Sequence, residues 1–220
     1  MANFALADKK TLAAEGGYAD NPADFGGETF RGIASVFHPR WAGWPSVRTV
    51  VQTIKSDYKQ PLDSSLSSDH WRAVNARIEA SKDVSTLLST LVSDFYQEEF
   101  WDRLGLSAFS SQLLAELVYD AGVNAGTGRA GLWLQQALNY LNVNQTLQKD
   151  LEEDGAVGPN TIKAATNFQR SWPRKLPALC AAFLVLRGNF HLESMKKRPD
   201  QEIFATSWLS RIAKQMGEIE

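Results

Sequence analysis

Apolar residues recur at helical spacing along most of the chain. Val84, Leu87, Leu88, Leu91, Val92 and Phe95 fall on one face of a helix. Leu113, Leu114, Leu117, Val118 and Ala121 repeat the pattern and predict a helix ending near Gly122 or Gly126. Trp133, Leu134, Ala137, Leu138 and Leu141 mark a third face. Pro159 predicts a helix start, because its missing N–H costs little in a first turn, and that helix should run to Trp172. The stretch from Leu176 to Lys197 is long and apolar at first, as expected of a helix crossing the core. Phe204, Trp208, Ile212 and Met216 share a face of a last helix.

The first third is less regular. Asp8 suits the N-cap of a short helix through Glu15, with Gly16-Gly17 as its stop. Residues 18–33 are rich in Gly, Asp, Asn and Pro and read as loop with at most a small β-hairpin. "FHPRWAGWPSV" is a second irregular stretch, with helix resuming near Ser46. No long alternating strand pattern and no internal repeat is visible. The predicted fold class is mainly α. The 220 residues suit one domain or two small ones, and "LEEDGAVGPNT" is a candidate separator of sub-regions.

Composition narrows the function. With 44% hydrophobic and 22% charged residues, the chain has the make-up of a globular protein rather than a disordered one. A net charge of -2 leaves no global footprint for nucleic acid. Cys180 is the one cysteine, so no internal disulfide supports the fold; it reads as a small buried hydrophobe in "LPALCAAFLVL". The longest apolar run, Leu176 to Leu186, is too short to span a bilayer, so no stable membrane insertion is expected. The N-terminus shows no Sec signal, which predicts synthesis in the cytoplasm. His38, His70 and His191 form no zinc-type pair and no EF-hand spacing is present, so neither metal nor cofactor is expected.

Candidate chemistry concentrates in "LAAEGGYADNPADFGGETFRGIA", residues 12–34. A carboxylate at a helix C-terminus opposes the negative end of the dipole. For Glu15 there are two readings: an exposed, hydrated side chain, or a carboxyl whose raised pKa keeps its proton for general acid work. Glycosidases need such an acid and a second, ionised carboxylate. Asp24, nine residues on, lies in a loop that can fold back across a cleft. Gly16, Gly17, Gly26 and Gly27 would keep the cleft floor free of side chains, and Thr29 could position a water.

The run Glu15-Gly16-Gly17-Tyr18, then Asp24, Gly26, Gly27, Thr29, then Gly32-Ile33, resembles the signature of glycoside hydrolase family 108, the lysozyme-like N-acetylmuramidases. "FYQEEFWDRL" (95–104), "LVYDAGVNAGTGRAGLWLQQAL" (117–138), "DGAVGPNT" (154–161) and "WLSRI" extend the likeness over roughly residues 5–213. The Asp24-to-Thr29 gap is one residue shorter than in related phage-type lysozymes, and Ala34 stands where many relatives carry threonine.

The resemblance implies a lysozyme-like helical fold. It would have a catalytic region over 1–94 and a helical peptidoglycan-binding region over 95–220, packed as one compact unit. It implies cleavage of the β-1,4 bond between N-acetylmuramic acid and N-acetylglucosamine, with Glu15 as general acid and Asp24 and Thr29 assisting. Tyr18 and Gly27 would line the cleft, and Tyr18 reads equally well as a loop anchor. Tyr119, Asp120 and Asn124 would face the cleft; for Asp120 and Asn124, capping or pinning a loop is the competing reading. Trp41 and Trp44 are either a sugar-stacking platform or loop anchors. The implied partner is the peptidoglycan glycan strand, with action in the periplasm or cell wall. Release through a holin, delivery by secretion machinery with a cognate immunity protein, and export by another route all fit. A non-catalytic wall-binding protein and a secretion-assisting protein are the alternatives.

Overall fold

The computed structural model describes residues 1–11, 16–21, 26–61 and 66–219. The chain divides into two compact units, Asp8–Gln97 and a second made of Met1–Ala7 with Glu98–Glu220.

In the Asp8–Gln97 unit, three two-residue strands form an antiparallel sheet: β1 (Tyr18–Ala19), β2 (Thr29–Phe30) and β3 (Ile33–Ala34). Tyr18 pairs with Phe30 and Ala19 with Thr29; Thr29 in turn pairs with Ala34 and Phe30 with Ile33. Arg31 and Gly32 both have positive φ (44° and 79°), the geometry of the tight turn whose twist matches a β-hairpin. The small β element expected near residues 18–33 is therefore present, as two successive antiparallel pairings.

Helices complete this unit: α1 (Phe4–Thr11), which starts in the other unit, is followed after the sheet by α2 (Trp44–Asp57), α3 (Ser68–Ala80) and α4 (Lys82–Tyr96). The second helix begins two residues before the expected Ser46, with Pro45 in its first turn, and buries Trp44, Val47, Val51 and Ile54. The buried column of α4 is Leu88, Val92 and Tyr96, while Leu87 is exposed. Val84, Leu91 and Phe95 of the predicted face are half-buried beside that column, so the face is present with Leu87 at its exposed edge. The Tyr96 hydroxyl donates to the Arg31 carbonyl at 2.9 Å.

Asp8 does not cap a helix; it lies within α1. Tertiary contacts hold the start of α1. Ala2 N–H donates to the Phe109 carbonyl at 2.7 Å, and the Gln112 carboxamide brackets the Asn3 backbone. Phe4 is thereby placed edge-on to Trp101 and Tyr119, 5.7 and 5.8 Å between centroids.

The second unit continues through a π-helical turn (Gln97–Asp102) that buries Trp101, then a short 3-10 turn (Leu106–Ala108). Helix α5 (Gln112–Ala125) starts on Ser111, whose hydroxyl accepts from the Leu114 N–H, and ends on Gly126. Every residue from Leu114 to Gly122 is buried, so α5 is a central helix. Around it stand α6 (Thr127–Tyr140), α7 (Pro159–Ser171), α8 (Leu176–Lys197) and α9 (Ala205–Met216). Of these, α6 and α8 pack on α5, and α9 packs on α8. Cys180 is buried on α8, and burial pushes its thiol up to about 12.

Candidate active site

The local fold explains much of the motif around the candidate catalytic residues. Gly17 must be glycine because a Cβ there would collide with the Asn75 side chain of α3. That carboxamide pairs with the Tyr18 backbone like an extra strand: Oδ1 accepts from Tyr18 N–H at 2.6 Å and Nδ2 donates to the Tyr18 carbonyl at 3.2 Å. The Gly17 carbonyl accepts from the Arg31 N–H at 3.1 Å. Gly27 has φ of 67°, and a Cβ there would press on Ser35 and Val36 at 3.1 Å, so the turn into β2 favours glycine on two counts. Thr29 follows on β2, half-buried and flanked by Ala19 and Ala34.

Tyr18 is 4% exposed, and its hydroxyl donates to Glu28 Oε2 at 3.3 Å. Glu28 Oε1 accepts from Arg48 Nε and Nη2 of α2, both at 2.7 Å. The Arg48 guanidinium lies over the Trp44 ring, 5.4 Å from its centroid. Burial first, then the Glu28 and Asp20 carboxylates, raise the Tyr18 phenol well above its ordinary value. It stays neutral and keeps its proton for the hydrogen bond to Glu28. Glu28 was not singled out by the sequence. Its one signal was a carboxylate inside the motif; its partner, twenty residues away on a helix, has no sequence mark.

Glu15 and Asp24 lie outside the described residues. Tyr18 and Thr29 lie on adjacent strands of the sheet, and Gly27 in the turn that leads into β2. In the same unit, α4 presents Ser85, Thr86, Ser89, Thr90, Ser93 and Asp94 around an open concavity of about 480 Å³. Trp41 and Trp44 are buried, and their indole N–H groups donate to the Leu91 and His38 carbonyls. Trp41 stacks on Phe30 at 5.9 Å. Both rings therefore anchor the loop rather than offer a free stacking face.

Tyr119, Asp120 and Asn124 sit together on α5. The Tyr119 ring is fully buried, edge-on to Trp101 and Phe4. The Asp120 carboxylate is enclosed by cations and an amide: Arg187 Nη1 at 2.7 Å, Arg211 Nη2 at 3.0 Å and Gln215 Nε2 at 2.9 Å. Asn124 donates to the Asp120 carbonyl and accepts from Arg211, each at 2.7 Å. Together these contacts tie α5 to α8 and α9.

The stretch "DGAVGPNT" closes a loop onto α6. Gln135 receives the Gly155 N–H on its oxygen, and its nitrogen donates to Asp154, the Ala156 carbonyl and Thr161. Gly155 has φ of 76° and lies backbone-to-backbone on Gly128 and Gly131. Among the described residues, no three His, Cys, Asp or Glu side chains converge as a metal site. No helix among them is long and apolar enough to cross a membrane.

Residues 9–126 match the family described as Glycosyl hydrolase 108, and residues 129–213 the one described as Predicted Peptidoglycan domain. The border between the two matches falls at the start of α6. No curated protein matches the chain. Among solved structures, the chain is similar to the one titled "Structure of Brucella abortus SagA", at 21% identity and a TM-score of 0.52, covering 98% of this chain and 92% of that one. At that identity the likeness speaks for the mainly α fold.

Proposed function

The chain belongs to the glycosyl hydrolase 108 family, and on that premise we propose that it is an N-acetylmuramidase that hydrolyses the β-1,4 bond between N-acetylmuramic acid and N-acetylglucosamine. The coarser statement, a glycoside hydrolase whose partner is peptidoglycan, follows from the two family matches. The observation that carries the finer reading is the ordered run from Glu15 to Ile33 inside the matched residues.

Glu15 is the general acid in this reading and protonates the leaving oxygen. Asp24, or a water held by Asp24 and Thr29, meets the cationic centre that develops on the sugar. Tyr18 and Gly27 shape the wall, with Glu28 and Arg48 fixing the phenol. Tyr119, Asp120 and Asn124 serve the site by holding α5; the burial of the ring and the arginine partners of the carboxylate support that role. The enzyme works on the cell wall, brought there through a membrane pore or secretion machinery.

The experiment is a Glu15→Gln variant on purified peptidoglycan. The amide cannot donate the proton, so reducing-sugar release should fall at least about 100-fold while the fold is kept. Release at the parental rate would remove Glu15 from the mechanism.

A further inference from the structure

The unit that carries α6 and α7 contains a cavity of about 510 Å³ between the 148–156 loop and the exposed side of α7. That volume is in the range of small-ligand sites. Its polar groups divide into two sets. Asp150 is held by Asn142 and Gln145, and Asp154 by Gln135 and the Ala156 N–H; these build the loop. Lys149, Lys163, Glu152 and Asn160 line the same cavity, and their side chains make no hydrogen bond or ion pair with any described residue. The Gln148 carboxamide nitrogen is buried there, also without a partner among the described residues. A buried amide donor left unpaired is costly, so an acceptor that reached it would be favoured.

The lining contains no aromatic ring. Sugar faces want flat amphipathic surfaces to stack on, and this cavity has none. It offers instead two ammonium groups, three carboxylates (Asp150, Glu152 and Asp154) and four carboxamides (Gln135, Gln148, Asn160 and Asn167), with the Glu152 carboxylate left over from building the loop. These match an oligopeptide with free carboxylates, an amine and a run of backbone amides. Peptidoglycan carries that combination on its peptide stems; its glycan has isolated acetamides but no amine and no run of backbone amides.

We infer that this cavity is a subsite for the peptide stem of peptidoglycan, with Lys149 and Lys163 taking stem carboxylates and the Gln148 and Asn160 side chains pairing with its amides. The inference rests on the reading of peptidoglycan as the partner. It gives the two matched stretches different parts of one polymer, glycan for the first and peptide for the second. Both lysines are exposed, so charge reversal there leaves the core intact.

The test is a calorimetric and NMR titration of the full chain with two soluble probes. One is the disaccharide of two N-acetylglucosamine units, a glycan probe that carries acetamides and no carboxylate; the other is the stem tripeptide alone. The tripeptide should bind and shift the amides of residues 148–163, and the disaccharide should leave them unmoved. A Lys149→Glu, Lys163→Glu double variant should unfold at the parental temperature and bind the tripeptide about tenfold or more weakly. Shifts at 148–163 with the disaccharide, no binding of the tripeptide, or unchanged affinity in the double variant each overturn the inference. Hydrolysis of purified peptidoglycan is measured on the same samples. Cleavage without tripeptide binding defeats this subsite alone, whereas tripeptide binding without cleavage defeats the hydrolase reading and leaves the subsite standing.

Discussion

Asn75 of α3 brackets the backbone of Tyr18, accepting its N–H at 2.6 Å and donating to its carbonyl at 3.2 Å. A side chain fifty-seven residues away thus completes the edge of the small sheet. Gly17 is what lets it approach. An Asn75→Ala variant leaves two partly buried backbone groups without that partner and should lose about 2 kcal/mol of stability. Denaturant unfolding measures it. An Asn75→Ala chain as stable as the parent would mean that the bracket contributes nothing.

Asp120 anchors α5 to α8 and α9 through Arg187, Arg211 and Gln215. Arg187 is 2% exposed, and with Asp120 removed its charge would be stranded in the core. Asp120→Ala should therefore cost about 3–5 kcal/mol. Arg211, one-third exposed, is solvated when unpaired, and Arg211→Gln should cost about 1 kcal/mol or less. Unfolding of the two variants side by side checks the order; equal losses would contradict it.

The two glycines of α6 separate packing from propensity. A Cβ on Gly131 would collide with the Gly155 carbonyl oxygen, whereas one on Gly128 meets open space. Gly131→Ala should destabilise by about 2 kcal/mol or more. Gly128→Ala should be neutral or stabilise by up to about 1 kcal/mol, since alanine loses less backbone freedom in a helix. Thermal melts of the pair read this directly.

His191 gives the fold a pH dependence of known sign. The ring is stacked on Trp208 at 4.6 Å, and burial, then the Arg187 and Arg129 charges, lower its pKa from 6.5 to about 4. The unfolded chain binds a proton at that histidine near pH 6.5 and the folded chain only near pH 4. Between those values the unfolded state holds more protons, so this contribution to stability is present above pH 6.5 and is lost as pH falls toward 4. Melting temperatures of the parent and a His191→Gln variant across that window should diverge from each other. Parallel curves would assign the acid sensitivity elsewhere.

The helical scaffold was readable because its signals are local. Pro159 and the apolar run from Leu176 placed α7 and α8 almost to the residue. The start of α1 was not readable, because residues far along the chain, Phe109, Gln112, Trp101 and Tyr119, hold it. The exposure of Leu87 was hidden for a related reason: how far round α4 the covered face extends depends on tertiary partners. At the site, the glycines and Thr29 announced a special loop. The partners that organise it, Asn75 and the Glu28–Arg48 pair, come from distant helices and leave no trace in local pattern. Asp120 could be singled out by its motif, but its arginines lie 67 and 91 residues further on.

The central claim is cleavage on the muramic acid side under the control of Glu15. Mass spectrometry of peptidoglycan digested by the parent and by Glu15→Gln tests it most directly. The account predicts new reducing ends on N-acetylmuramic acid with the parent and their near-disappearance with the variant. Reducing ends on N-acetylglucosamine, anhydro ends, or an undiminished muramic acid yield from Glu15→Gln would contradict it.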